Sequence, residues 1–160
     1  MDINKLINYN YDELLSNISS LSNTISKSQG IKEKSYGDWT GPAFNSFNKI
    51  HESNMKNGDQ IIEELAGIKE KVQSLKDLSS EYLTLKTNYE NKQTELQNCN
   101  SSIISAETKL NSEDPSVVAA AQAELSGLRS KASALSTEIS DLETNMKTKE
   151  QAIDSIYSTL

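Results

Sequence analysis

An all-α fold follows from three observations on the 160-residue chain. Apolar residues recur at alternating steps of three and four over most of its length, the spacing of one helix face. Helix breakers are confined: of two prolines and six glycines, Gly37, Gly41 and Pro42 cluster in one place, and Pro115 marks another. Only 35% of the residues are hydrophobic, a poor supply for a thick globular core but enough for helices that share a single seam.

The first helix is expected over about residues 3–34, where Ile7, Tyr11, Leu14, Ile18, Leu21 and Ile25 keep the alternation until Gly30 and Gly37 bracket its end. The second begins at Pro42, whose missing N–H would be unpaired in a first turn anyway. It runs to about residue 111 along Phe44, Phe47, His51, Asn54, Gly58, Ile61, Leu65, Ile68, Val72 and Leu75. Leu78 then arrives one residue early and starts a new phase through Tyr82, Leu85, Tyr89, Lys92, Leu96, Cys99, Ile103, Ala106 and Leu110. A dropped residue turns the seam around the helix. The stretch Asn-Ser-Glu-Asp-Pro-Ser (111–116) is a second stop, with Ser112 or Asp114 as cap and Pro115 in the first turn. The third helix, over about 115–158, has the cleanest heptads: Val118, Ala121, Leu125, Leu128, Ala132, Leu135, Ile139, Leu142, Met146, Lys149, Ile153, Ile156 and Leu160.

Short connections require antiparallel neighbours. Helix one folding back from Gly41 covers about 44–75 of the middle helix, and helix three folding back from Pro115 covers it down to about 70. The two return helices therefore meet where the phase slips, near Val72–Leu78. The expected architecture is an elongated helical hairpin (1–75) and a C-terminal antiparallel coiled-coil hairpin (76–160), sharing one middle helix as a continuous rod. A break near 77–82, giving four helices, is the alternative. The N-terminal hairpin carries further apolar residues off its seam: Ile3, Leu6, Leu15, Ile50, Met55 and Ile62. They fit either a face for a second chain or a wider intramolecular face.

Charge narrows the function classes. The net charge of −7 deepens toward the C-terminus, where residues 113–160 hold eight acids against four bases. Without a basic stripe there is no footprint for nucleic acid or for a polybasic membrane anchor. No run approaches the roughly 18 apolar residues that span a bilayer, and the N-terminus lacks a signal-peptide core. The expectation is a protein made in the cytoplasm, with no direct membrane insertion, whose export would use a route without a cleaved signal. Catalysis is not expected: the lone His51 sits on a helix seam, the lone Cys99 is a small seam residue, and no cluster has metal-ligand spacing. Neither a metal nor a cofactor is expected. Acids such as Glu63, Glu64, Asp141 and Glu143 are placed on helix outsides.

The stretch Ser-Tyr-Gly-Asp-Trp-Thr-Gly-Pro-Ala-Phe (35–44) holds the only tryptophan. An indole beside a turn covers a hairpin end or anchors a partner. The tripeptide Trp39-Thr40-Gly41 between two amphipathic helices, followed by Ala43, Phe44 and Phe47, resembles the W-x-G (early-secreted-antigen-like) family of type VII secretion proteins over about residues 1–95. That resemblance implies pairing with a second small helical W-x-G-like protein, with Trp39 and Gly41 as half of a composite export signal shown to the membrane export ATPase. The family's other half, Tyr-x-x-x-Asp/Glu after the second helix, is missing. The pair at that spacing is Tyr9 and Glu13, at the opposite end, which implies that a partner supplies it. The third helix makes the chain similar to the longer helical companions of LXG toxins, which bind the toxin's helical N-terminal domain. An independently secreted homodimeric substrate and a non-secreted coiled-coil scaffold are the other readings.

Overall fold

The computed structural model describes residues 3–30 and 40–160. All regular secondary structure among them is helical: α1 (Ile3–Ile7), α2 (Tyr11–Gln29), α3 (Pro42–Lys109) and α4 (Pro115–Tyr157). The middle helix is unbroken through 77–82, where a break was the alternative.

The first helix is interrupted instead, at residues 8–10. Asparagine side chains compete for backbone groups, and here they do so on both sides of the gap. Asn8 Nδ2 donates to Asn4 O at 2.8 Å, and Asn10 Oδ1 accepts from Glu13 N at 3.2 Å as the N-cap of α2. Leu6 O, at the end of α1, accepts both Tyr9 N at 3.1 Å and the Tyr11 hydroxyl at 2.7 Å. Helix α2 ends at Gln29 with Gly30 as its cap; the expected extension through 34 lies outside the described residues.

The chain divides into two compact units, one of them formed by Leu78–Asp154. Within it the second half of α3 packs antiparallel to α4, joined by a tight turn in which Leu110 N donates to Glu107 O and Ser112 N to Lys109 O. Asp114 caps α4: its Oδ1 accepts from both Ser116 N and Ser116 Oγ at 2.8 Å. Those bonds hold the Asp114 carboxyl below the usual aspartate range. Tyr82, Cys99, Ala106, Ala121, Leu125, Leu135 and Ile153 are buried on the heptad line read from the sequence. Ser79 is buried off it while Leu78 is only half-buried, so the buried residues Leu75, Ser79 and Tyr82 keep the four-three step along α3 where a slip at Leu78 was expected.

The other unit comprises Asp2–Asp77 and Ser155–Leu160. Here α2 lies antiparallel to the first half of α3, with Gln29 against Met55 and Asp59 at one end and Asp12 paired to Lys76 at 2.6 Å toward the other. Its buried side chains are Ile7, Tyr11, Ile18, Val72 and Leu75. The inward line departs from the expected one. Met55 and Ile62 are half-buried where Asn54 and Ile61 were expected, and Leu21 is exposed while Ser22 turns inward. The adjacent pairs Leu14–Leu15 and Ile61–Ile62 serve either phase. Gly58 lies on both lines; without a side chain it lets Gln29 and Ile25 come close, and Gln29 Nε2 then reaches Met55 O on the second line.

Candidate functional site

Helix α3 opens at Pro42, directly after the tripeptide Trp39-Thr40-Gly41. Trp39 lies outside the described residues; Thr40 and Gly41 are exposed. Gly41 has φ +105°, a backbone region that side chains with a Cβ rarely enter. From there its carbonyl accepts Asn45 N at 3.1 Å and starts the helix, while Ser46 Oγ donates to Pro42 O at 3.1 Å. Phe44 and Phe47 are half-buried in the first two turns. The Phe47 ring stacks on His51, with centroids 5.9 Å apart and planes at 10°. His51 Nε2 is buried and has no hydrogen-bond partner among the described residues. An open groove of about 590 Å³ beside it is lined by Gln29, Met55, Lys56 and Asp59 among others.

The off-seam apolar residues separate into two groups. Leu6, Leu15, Met55 and Ile62 are half-buried within their own unit, so they serve the wider intramolecular face. Ile3 opens α1. Ile50 stays 63% exposed, and it is joined on the surface by Leu21, Ile61 and Ile68, which the seam reading had placed inside.

The Tyr9–Glu13 pair, four residues apart, does local work. Glu13 exchanges hydrogen bonds with the Asn10 cap, and Tyr9 packs edge-on against Tyr11 at 5.4 Å.

The unit Leu78–Asp154 shows how the polar seam residues are accommodated. Lys92 Nζ reaches Glu138 at 2.9 Å and Glu95 at 3.4 Å, and these carboxylates raise its pKa. Lys149 pairs with Glu81. The Tyr82 hydroxyl donates to Glu150 at 2.8 Å, and that of Tyr89 to Glu143 at 2.8 Å. Burial, then the hydrogen bond and charge of Glu150, push the Tyr82 phenol up to about 12. Glu143 therefore has a partner across the hairpin rather than a purely solvating role. The signal for it was present in the sequence, in the four polar-tipped residues of two facing seams. Cys99 is buried, and its thiol donates to Leu128 O at 3.3 Å.

Among the described residues no group of three or more His, Cys, Asp or Glu side chains is placed to hold a metal ion. No described helix is long and apolar enough to cross a membrane. What the surface offers is apolar area on helices, the chemistry of helix-to-helix association. Compared with family models, curated proteins and solved structures, the chain matches none of them.

Proposed function

We propose that this chain is a non-catalytic type VII secretion targeting factor, or chaperone, that pairs with the helical N-terminal domain of an LXG-type toxin. The observation that carries the reading is the Trp39-Thr40-Gly41 turn, set between two amphipathic helices and followed at once by Pro42, Phe44 and Phe47. Cargo would dock on apolar helix surface of the α2–α3 unit and contribute the missing Tyr-x-x-x-Asp/Glu half of the signal. The export ATPase would then read the two halves together.

Co-expression with the neighbouring open reading frames, followed by size exclusion, tests the pairing. A stoichiometric complex with a long helical domain is the expected result. Trp39→Ala tests the signal: the complex and the helical circular dichroism stay intact while export is lost. Loss of folding in that variant would instead make Trp39 a packing residue. Export of the chain alone, with no cargo, would favour an independent homodimeric substrate.

A further inference from the structure

Burial along α3 widens at one place in the α2–α3 unit. From Asp59 to Glu70 the side chains drawn in from solvent are Ile62 and Leu65, as expected of a helix with one neighbour. Over 71–76 the inward arc broadens to Lys71, Val72, Leu75 and Lys76, with Val72 1% and Leu75 2% exposed. At about 100° per residue Lys71 and Lys76 stand about 140° apart around the helix, and Leu75 and Val72 fall between them at about 40° and 100° from Lys71.

The two lysines take hold of different neighbours. Lys76 Nζ reaches Asp12 Oδ1, in the first turn of α2, at 2.6 Å. Lys71 Nζ donates to Thr159 O, just past the end of α4, at 2.7 Å. Residues 155–160 accordingly belong to the same compact unit as α2 and the first half of α3, and Ile156 is half-buried there. The last turn of α4 has no basic residue of its own, so Lys71 supplies the cation that favours a helix C-terminus. The neighbouring carbonyls are closed locally: Ile156 O accepts Thr159 N at 3.0 Å and Tyr157 O accepts Leu160 N at 3.3 Å.

We propose that the end of α4 is a clasp on the α2–α3 hairpin. Residues 155–160 close over Val72 and Leu75 from the Lys71 side, and this closure keeps the start of α2 seated from the Lys76 side. The two neighbours are coupled through the apolar residues they share, because withdrawal of either one wets Val72 and Leu75 and loosens the other. The start of α2 depends on such support. The five residues of α1 are too few to be stable as a helix alone, and the asparagine gap at 8–10 denies them continuity with α2. Opening of this end is thereby governed by a segment 88 residues from Lys71 in sequence. The inference stands on this packing and survives if the secretion reading fails.

Hydrogen exchange of the full chain, resolved by peptide, tests it. In Ile156→Asp the amides of residues 3–20 are expected to exchange at least about tenfold faster than in the wild type, while those of 115–145 keep their rates. Lys71→Met, which removes the charge from a half-exposed position, is expected to show the same pattern at roughly two- to fivefold. Ile156→Leu, which restores an apolar side chain, is expected to return residues 3–20 to wild-type exchange. Wild-type protection of residues 3–20 in both Ile156→Asp and Lys71→Met overturns the proposal, since α2 then holds its place without the clasp. An equal loss of protection over 115–145 in either variant also overturns it.

Discussion

The two hairpins use the same middle helix and solve their packing differently. In Leu78–Asp154 the facing seams of α3 and α4 bury small and branched residues in alternation, from Ala106 and Ala121 to Leu125 and Ile153. Each polar seam tip there ends on an acid of the other helix: Lys92 on Glu138, Tyr89 on Glu143, Tyr82 on Glu150, Lys149 on Glu81. In the α2–α3 unit the interhelical polar contacts are fewer, α1 and α2 are divided by an asparagine cap, and several large apolar side chains face outward. The first hairpin is completed by its own two helices, with Leu83, Ile104 and Val117 left exposed on it; the described helices of the second leave Leu21, Ile50, Ile61 and Ile68 exposed.

The sharpest way to break that comparison is to truncate one apolar residue on each side of it. Leu125, 5% exposed in the complete hairpin, is expected to cost about 2–4 kcal/mol as Leu125→Ala. Ile61→Ala, at an exposed position on α3, is expected to change stability by no more than about 0.5 kcal/mol. Chemical denaturation of the two variants measures both quantities. Equal losses of stability would mean that Ile61 is covered within its own chain, and the contrast would collapse.

Alkali sharpens the comparison, because the tyrosine–carboxylate pairs belong to the complete hairpin alone. Tyr82 is raised from 10.0 to about 12, so between those values the folded state holds a proton that the unfolded state has lost. Stability from this group is therefore full below pH 10 and falls as pH rises toward 12. The raised Lys92 loses its pairing in the same direction, as pH climbs through its folded value. Thermal melts from pH 9 to 12 should show the decline in the wild type and a shallower one in Tyr82→Phe. An unchanged slope in that variant would assign the alkaline loss to Lys92 and Tyr89 instead.

Legibility in the sequence tracks how unambiguous the local chemistry is. The helical class, the start of α3 at Pro42, the start of α4 at Pro115 and the seam of the C-terminal hairpin all rest on strong signals: proline, a capping aspartate and a long heptad run. The N-terminal hairpin is harder, because Leu14–Leu15 and Ile61–Ile62 each place apolar residues at neighbouring positions. Periodicity alone cannot choose between phases one residue apart. The choice is made in space, where Gln29 passes close over Gly58 to reach Met55 O. The interruption at 8–10 was hidden for a similar reason: Ile7 and Tyr11 keep helical spacing across a gap that the asparagines open. The open side of α3 was half legible. Ile50 stood out from the seam, whereas Ile61 and Ile68 looked like part of it until α2 showed which way it faces.

The smallest predicted effect isolates the approach of Gln29 to Gly58. Gly127 and Gly58 are both helix-interior glycines, one in each hairpin, and alanine gains up to about 1 kcal/mol over glycine there. A Cβ at Gly127 meets nothing within 4 Å, so Gly127→Ala should stabilise by nearly that full amount. At Gly58 the added carbon collides with Gln29 Nε2 and lies 3.1 Å from its Cδ. The amide must swing away from Met55 O and Asp59, losing hydrogen bonds worth about 0.5–1.5 kcal/mol net. Gly58→Ala should therefore be neutral or slightly destabilising. In a Gln29→Ala background the obstacle is gone, and Gly58→Ala should recover most of the helix-propensity gain. The double-mutant cycle then gives a coupling energy that belongs to this one contact. If Gly58→Ala stabilises equally with and without Gln29, the close approach of Gln29 over Gly58 does not hold the two helices in this register.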